Sequence, residues 1–120
     1  MDSRALGQWG EERAARYLRL HGYRIVARNF SCRMGEVDII AAKRGFLAFV
    51  EVKTRSSRSF AEAREFVSAA KQRRVRTAAL CYLAKNPTER QPRFDVIEVY
   101  TPECSGGRRT EINHIENAFE

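Results

Sequence analysis

The stretch Glu36–Arg55, EVDIIAAKRGFLAFVEVKTR, decides how this chain folds. Apolar and polar side chains alternate on both sides of Arg44-Gly45, the two-residue period of strands that bury a face. A two-residue turn at Arg44-Gly45 closes the two runs into a hairpin. That turn sets Ile40 opposite Phe49, Asp38 opposite Glu51 and Glu36 opposite Lys53. One face of the ribbon then carries Glu36, Asp38, Ile40, Phe49, Glu51 and Lys53. The other carries Val37, Ile39, Ala41, Ala48, Val50 and Val52, all apolar. This segregation supports the register, because a slip of one residue would exchange the faces. Arg is not the preferred first residue of such a turn, and a bulge at Gly45 would shift the pairing.

Two carboxylates directly opposite each other repel, so Asp38 and Glu51 need a neighbouring cation or a bound metal. Hard oxygen ligands suit Mg²⁺ or Mn²⁺ rather than zinc, and the peptide carbonyl of Val52 offers a further oxygen. Lys53, on the same face, is placed to orient a water or neutralise charge on a phosphate. The competing reading is an ordinary surface ribbon with cross-strand ion pairs, Glu36–Lys53 among them.

Before the hairpin, Arg4 to His21 reads as a helix ended by Gly22, and Tyr23 to Phe30 as a first strand. Gly7, Glu11, Ala14 and Leu18 recur at helical spacing, flanked by Gly10 and Ala15, and this stripe should lie against the sheet. Glu11 has no helical ion-pair partner, whereas Glu12 has Arg16 four residues on. Glu11 therefore either shares in a metal or water site or is a first-turn acid favoured by the helix dipole. After the hairpin, a second helix falls within Ala61 to Lys85, with Val67, Val75, Ala78, Ala79, Tyr82 and Leu83 as its buried stripe. Arg93 to Tyr100 is a further strand. The order α-β-β-β-α-β gives an α/β fold, a mixed sheet flanked by helices. Ile112, Ile115 and Phe119 follow as a short strand or an irregular tail packed on the body.

A chain of 120 residues fits one domain, 1–120, and its net charge of +7 points to a polyanion, nucleic acid first. A basic protein with no such partner has the same composition. Seven basic residues and two acids lie between Arg55 and Arg76, directly after Lys53. Arg55, Arg58, Lys71 and Arg74 are the candidate phosphate contacts. Three cysteines far apart argue against a disulfide framework and a zinc site. The N-terminus lacks the apolar run of a signal peptide and no segment is apolar enough to span a bilayer, so a cytoplasmic setting without membrane is expected.

The runs G-x-x-G-E-x-x-A-x-x-Y-L (Gly7 to Leu18), H-G-Y-R-I (His21 to Ile25) and R-N-F (Arg28 to Phe30) resemble the YraN family of uncharacterised bacterial nuclease-like proteins. So do G-E-V-D-I-I-A (Gly35 to Ala41), F-V-E-V-K-T-R (Phe49 to Arg55) and R-F-D-V-I (Arg93 to Ile97). The family is similar to archaeal Holliday-junction resolvases and to the PD-(D/E)xK superfamily. The resemblance implies a restriction-endonuclease-like core, with Glu11 as the helix-borne acid, Asp38 and Glu51 as metal ligands and Lys53 as the catalytic lysine. It also matches Lys71 to a basic position on the second helix. The chain departs from the pattern at Phe60-Ala61, where Phe-Gly is expected.

The expected function is a metal-dependent endonuclease, with Mg²⁺ or Mn²⁺ held by Asp38, Glu51, Glu11 and the Val52 carbonyl and assisted by Lys53. DNA is the favoured substrate over RNA. Nothing resembles a base-reading helix, so backbone and shape should govern binding. Resolvase-like enzymes cut two strands, which implies a homodimer, although the sequence shows no distinct dimerisation element. A non-catalytic nucleic-acid-binding module of the same fold and a protein-interaction domain are the alternatives, and steep loss of DNA affinity with salt would separate the nucleic-acid readings from the last.

Overall fold

The computed structural model describes residues 2–56, 67–102 and 109–120. Helix α1 (Ser3–Leu20) is followed by strands β1 (Arg24–Cys32), β2 (Gly35–Lys43) and β3 (Phe46–Arg55), helix α2 (Ala69–Lys85), and strands β4 (Gln91–Tyr100) and β5 (Glu111–Phe119). The sheet runs β1-β2-β3-β4-β5 in space. All neighbours are antiparallel except β3 and β4, which α2 joins as the crossover that a parallel pair requires. The expected α/β architecture is present, and the C-terminal segment is a full fifth strand.

α1 begins at Asp2, whose side chain accepts from the Ala5 N–H, and ends where His21 Nδ1 meets the Tyr17 carbonyl at 2.8 Å. Gly22, at φ 88°, then turns the chain into β1. Each helix covers one face of the sheet. On one side Ala14, Ala15 and Leu18 of α1 pack with Ile39, Ala41, Ala48, Val50, Ile97 and Val99. On the other, Val75, Ala78 and Ala79 of α2 pack with Val37, Ile40, Leu47 and Phe49. Burying a side chain such as Phe49 or Ile40 completely stabilises the fold by about 1.5–3 kcal/mol each.

The β2–β3 hairpin has the expected register, Lys43↔Phe46 through Ile40↔Phe49 to Ile39↔Val50. The left-handed residue in its turn is Arg44, at φ 54°, and not Gly45. The turn carbonyls are taken up by the Arg90 guanidinium (2.9 Å to Arg44) and the Gln91 N–H (2.7 Å to Gly45).

Two expectations for the far end of the ribbon need correcting. The backbone pairing of β2 with β3 ends at Ile39↔Val50, so Asp38–Glu51 and Glu36–Lys53 are not ladder pairs. Val37 also packs on the α2 side, away from Ile39. The strand changes face at Asp38, opposite Asn29, whose backbone is left-handed at φ 53°. A left-handed residue breaks the pleat on which two-residue alternation depends.

On the β4–β5 side of the sheet Asp95, level with Val50 and with no exposed surface, anchors β4 to β5. It takes two bonds from Arg93 (2.9 and 2.8 Å) and one from the Asn117 N–H (3.0 Å), and lies 2.8 Å from His114 Nε2. These contacts outweigh the cost of burial and hold its pKa below the usual carboxylate range.

Candidate metal and phosphate site

Where β2 and β3 part, the backbone partner of β3 is replaced by a side chain. The Val52 N–H donates to Asp38 Oδ2 at 2.7 Å. The N–H and C=O of a strand residue point the same way, so the Val52 carbonyl also faces the fork. Glu51 projects into the same fork and is only 4% exposed. Its Oε1 is buried and has no hydrogen-bond partner. Burial, followed by the neighbouring Asp38 carboxylate, pushes the Glu51 pKa up to about 8. Burial also raises Asp38, against the pull of the Val52 N–H and Lys71. Two ionised carboxylates this close have no proton to share, so the pair requires either one proton or one cation.

Two glycines let the helices descend on this fork. A Cβ at Gly10 would sit 1.9 Å from Thr54 Oγ1, so only glycine lets α1 press against β3 there. The next residue, Glu11, lies in the third turn of α1 and so is not the first-turn acid of the alternative reading; it reaches Asp38. Burial and then Asp38 raise the Glu11 pKa, while the Asn29 side chain and Arg28 oppose the rise. A Cβ at Gly35 would sit 2.7 Å from the Ala78 backbone nitrogen and 3.0 Å from the Arg74 carbonyl. That contact seats α2 beside Glu36. Lys71 Nζ then lies 2.6 Å from Glu36 Oε2 and 3.8 Å from Glu51 Oε2.

The structure therefore brings Glu11, Asp38, Glu51 and Lys71 together. Lys53 is half-buried on β3, close enough to Glu51 to favour its charge, and has no hydrogen-bond or ion-pair partner among the described residues. Among the described residues, no three His, Cys, Asp or Glu side chains converge as one metal-ligating group. Glu11 stands beside Asp38 without closing a set with Glu51. Magnesium commonly uses one or two carboxylates, with water and substrate phosphate completing its shell, so the Asp38–Glu51 pair with its orphaned oxygen fits such an ion.

Of the candidate phosphate contacts, Arg74 is exposed and close enough to Glu36 to act on its charge. Arg55 is turned inward, 3.3 Å from buried Glu98. Arg58 and the Phe60-Ala61 departure lie outside the described residues. Glu12 pairs with Arg28 of β1 at 3.1 Å rather than with Arg16. Sequence reasoning missed Asn29, which faces Asp38 across the sheet, and the use of Glu36 to hold Lys71. No helix among the described residues is long and apolar enough to cross a membrane.

Comparison with known families gives a match over residues 10–99 to the uncharacterised protein family UPF0102. A UPF0102 protein of Symbiobacterium thermophilum is 49% identical over 118 residues, 98% of each chain. One from Caldanaerobacter subterraneus subsp. tengcongensis is 43% identical over 121 residues, 99% of this chain and 98% of its own. The chain belongs to the UPF0102 family. The segment matched to UPF0102 contains Glu11, Asn29, Asp38, Glu51, Lys53, Lys71 and Asp95, and ends before β5.

Proposed function

We propose that this protein is a metal-dependent nuclease of the PD-(D/E)xK type that hydrolyses phosphodiester bonds in DNA, with branched or repair-related structures as the favoured substrates. The observation that carries this reading is the Asp38–Glu51 pair, two abutting and largely buried carboxylates with one oxygen left without a partner. Such a pair costs stability in a protein that has no use for it. A bound Mg²⁺ or Mn²⁺ supplies charge neutralisation at a phosphoryl oxygen and a lowered pKa for the attacking water.

The chain's own residues supply the rest. Asp38, Glu51 and the Val52 carbonyl present oxygens to the ion. Lys53, without a hydrogen-bond or ion-pair partner among the described residues, orients the water or neutralises the phosphate. Glu11, with its raised pKa, stands beside Asp38 as a carboxyl able to hold or pass a proton. The net charge of +7 and exposed Arg74 favour a polyanion read through its backbone. A cytoplasmic setting and a homodimer for two-strand cleavage belong to the same reading. The alternative is a non-catalytic nucleic-acid-binding module of the same fold.

The test is incubation with Mg²⁺ or Mn²⁺ and labelled four-way junction, flap, nicked, duplex and single-stranded DNA, with Glu51→Ala alongside. Metal-dependent cleavage that the variant lacks supports the nuclease. If both proteins bind DNA and neither cuts it, the binding module replaces it.

A further inference from the structure

Lys71 stands at the wrong end of its helix. Ser68 caps α2 and accepts the Lys71 N–H at 3.1 Å, which places Lys71 in the first turn, where no acidic residue is present. Helix N-termini favour anions and disfavour cations. The side chain is nevertheless held in, 15% exposed, with its ammonium between Glu36 and Glu51. Burial opposes its charge, but Glu36, Glu51 and Asp38 more than offset that.

The placement follows from the packing. Arg74 and Ala78 meet Gly35, and Lys71 lies one turn closer to the N-terminus on the same face of α2. It therefore lands on Glu36 and the carboxylate fork. Of the two lysines near Glu51, Lys53 has no partner among the described residues and Lys71 has two.

We propose that Lys71 is the built-in counter-ion of Glu51, and that Glu36 holds its ammonium in a position from which it yields the site to a divalent cation. The inference rests on the metal-site reading above. It assigns Glu36 a positioning role: drawn towards Glu36 (2.6 Å) rather than Glu51 (3.8 Å), the ammonium stays at the rim of the fork. There it is available to a phosphate oxygen once the ion is seated.

The two partners should then have opposite effects. Lys71→Met removes a competitor and tightens Mn²⁺ binding, by at least about fivefold even with water-like screening of a unit charge near 4 Å. Glu36→Gln releases the ammonium onto Glu51 and weakens Mn²⁺ binding by a similar factor. Free Mn²⁺ measured by electron paramagnetic resonance, without nucleic acid, reads both against wild type and Glu51→Gln. Shifts of the same sign, or no tightening in Lys71→Met, would overturn the proposal.

A metal-free arm separates this from the reading on which it rests. A Lys71→Met/Glu51→Gln double-mutant cycle in urea with chelator at pH 9 should show coupling of at least about threefold in the unfolding constant. Absence of coupling overturns the counter-ion pairing whatever the metal data. Coupling without Mn²⁺ binding in any of these proteins brings down the metal reading and the displacement, leaving the pairing itself.

Discussion

Replacing Glu51 by Gln should stabilise the metal-free protein at high pH and leave its stability near pH 5 almost unchanged. Glu51 is 4% exposed, and its pKa stands at about 8 against an ordinary 4.5. Between those values the folded state keeps a proton that the unfolded chain has lost. Stability conferred by the protonated group therefore falls as pH rises from about 4.5 to about 8, and stays lost above that. At about 1.4 kcal/mol per pH unit the window sets a ceiling of about 5 kcal/mol. Sharing of the proton with Asp38 and water entering the fork reduce this, and about 2 kcal/mol is the working expectation. Glutamine keeps the shape and cannot ionise. Urea unfolding in chelator at pH 5 and pH 9 gives the comparison, read as variant minus wild type so that other titrating groups cancel. A difference near zero at pH 5 and about +2 kcal/mol at pH 9 is expected. Equal destabilisation at both pH values would refute the placement of Glu51 as a buried carboxylate whose burial and Asp38 neighbour outweigh its lysine contacts.

Metal binding should release close to one proton at pH 7 and weaken as pH falls below about 8, because the ion must displace the proton held by the Asp38–Glu51 pair. Calorimetry in buffers of different ionisation enthalpy measures this, and an enthalpy independent of buffer would count against it. Gly10→Ala should cost about 1–3 kcal/mol by forcing α1 off Thr54, and Gly35→Ala about as much by pushing its Cβ into the backbone of α2. Wild-type midpoints in urea would show that the close approaches are wrong. Asp95→Ala should cost about 3–5 kcal/mol, since it strands Arg93 inside its network. A loss under 1 kcal/mol would mean that the β4–β5 anchor is incidental.

The β2–β3 register was legible because the alternation around Arg44-Gly45 is regular and a two-residue turn leaves few pairings. It ceased to be legible at Asp38. The reversal of Val37 occurs level with a left-handed Asn29 on the neighbouring strand, and alternation within β2 carries no trace of it. Glu11 was found through the small-residue stripe, because Gly10, Ala14 and Ala15 mark the face of α1 that presses on the sheet. The Glu36–Lys71 pair was hidden by sequence distance and depends on how Gly35 seats α2. β5 showed little strand signal because it is an edge strand whose polar residues serve β4. His114 and Asn117 meet Asp95, and Asn113 donates to Glu98.

The most direct test of the metal site is a crystal grown with Mn²⁺ and examined by anomalous scattering. An ion bound in this fork would give a peak shared by the Asp38 and Glu51 carboxylates, with the Lys71 ammonium drawn back towards Glu36. A peak elsewhere, or none with Lys71 still beside Glu51, would contradict the metal-site reading.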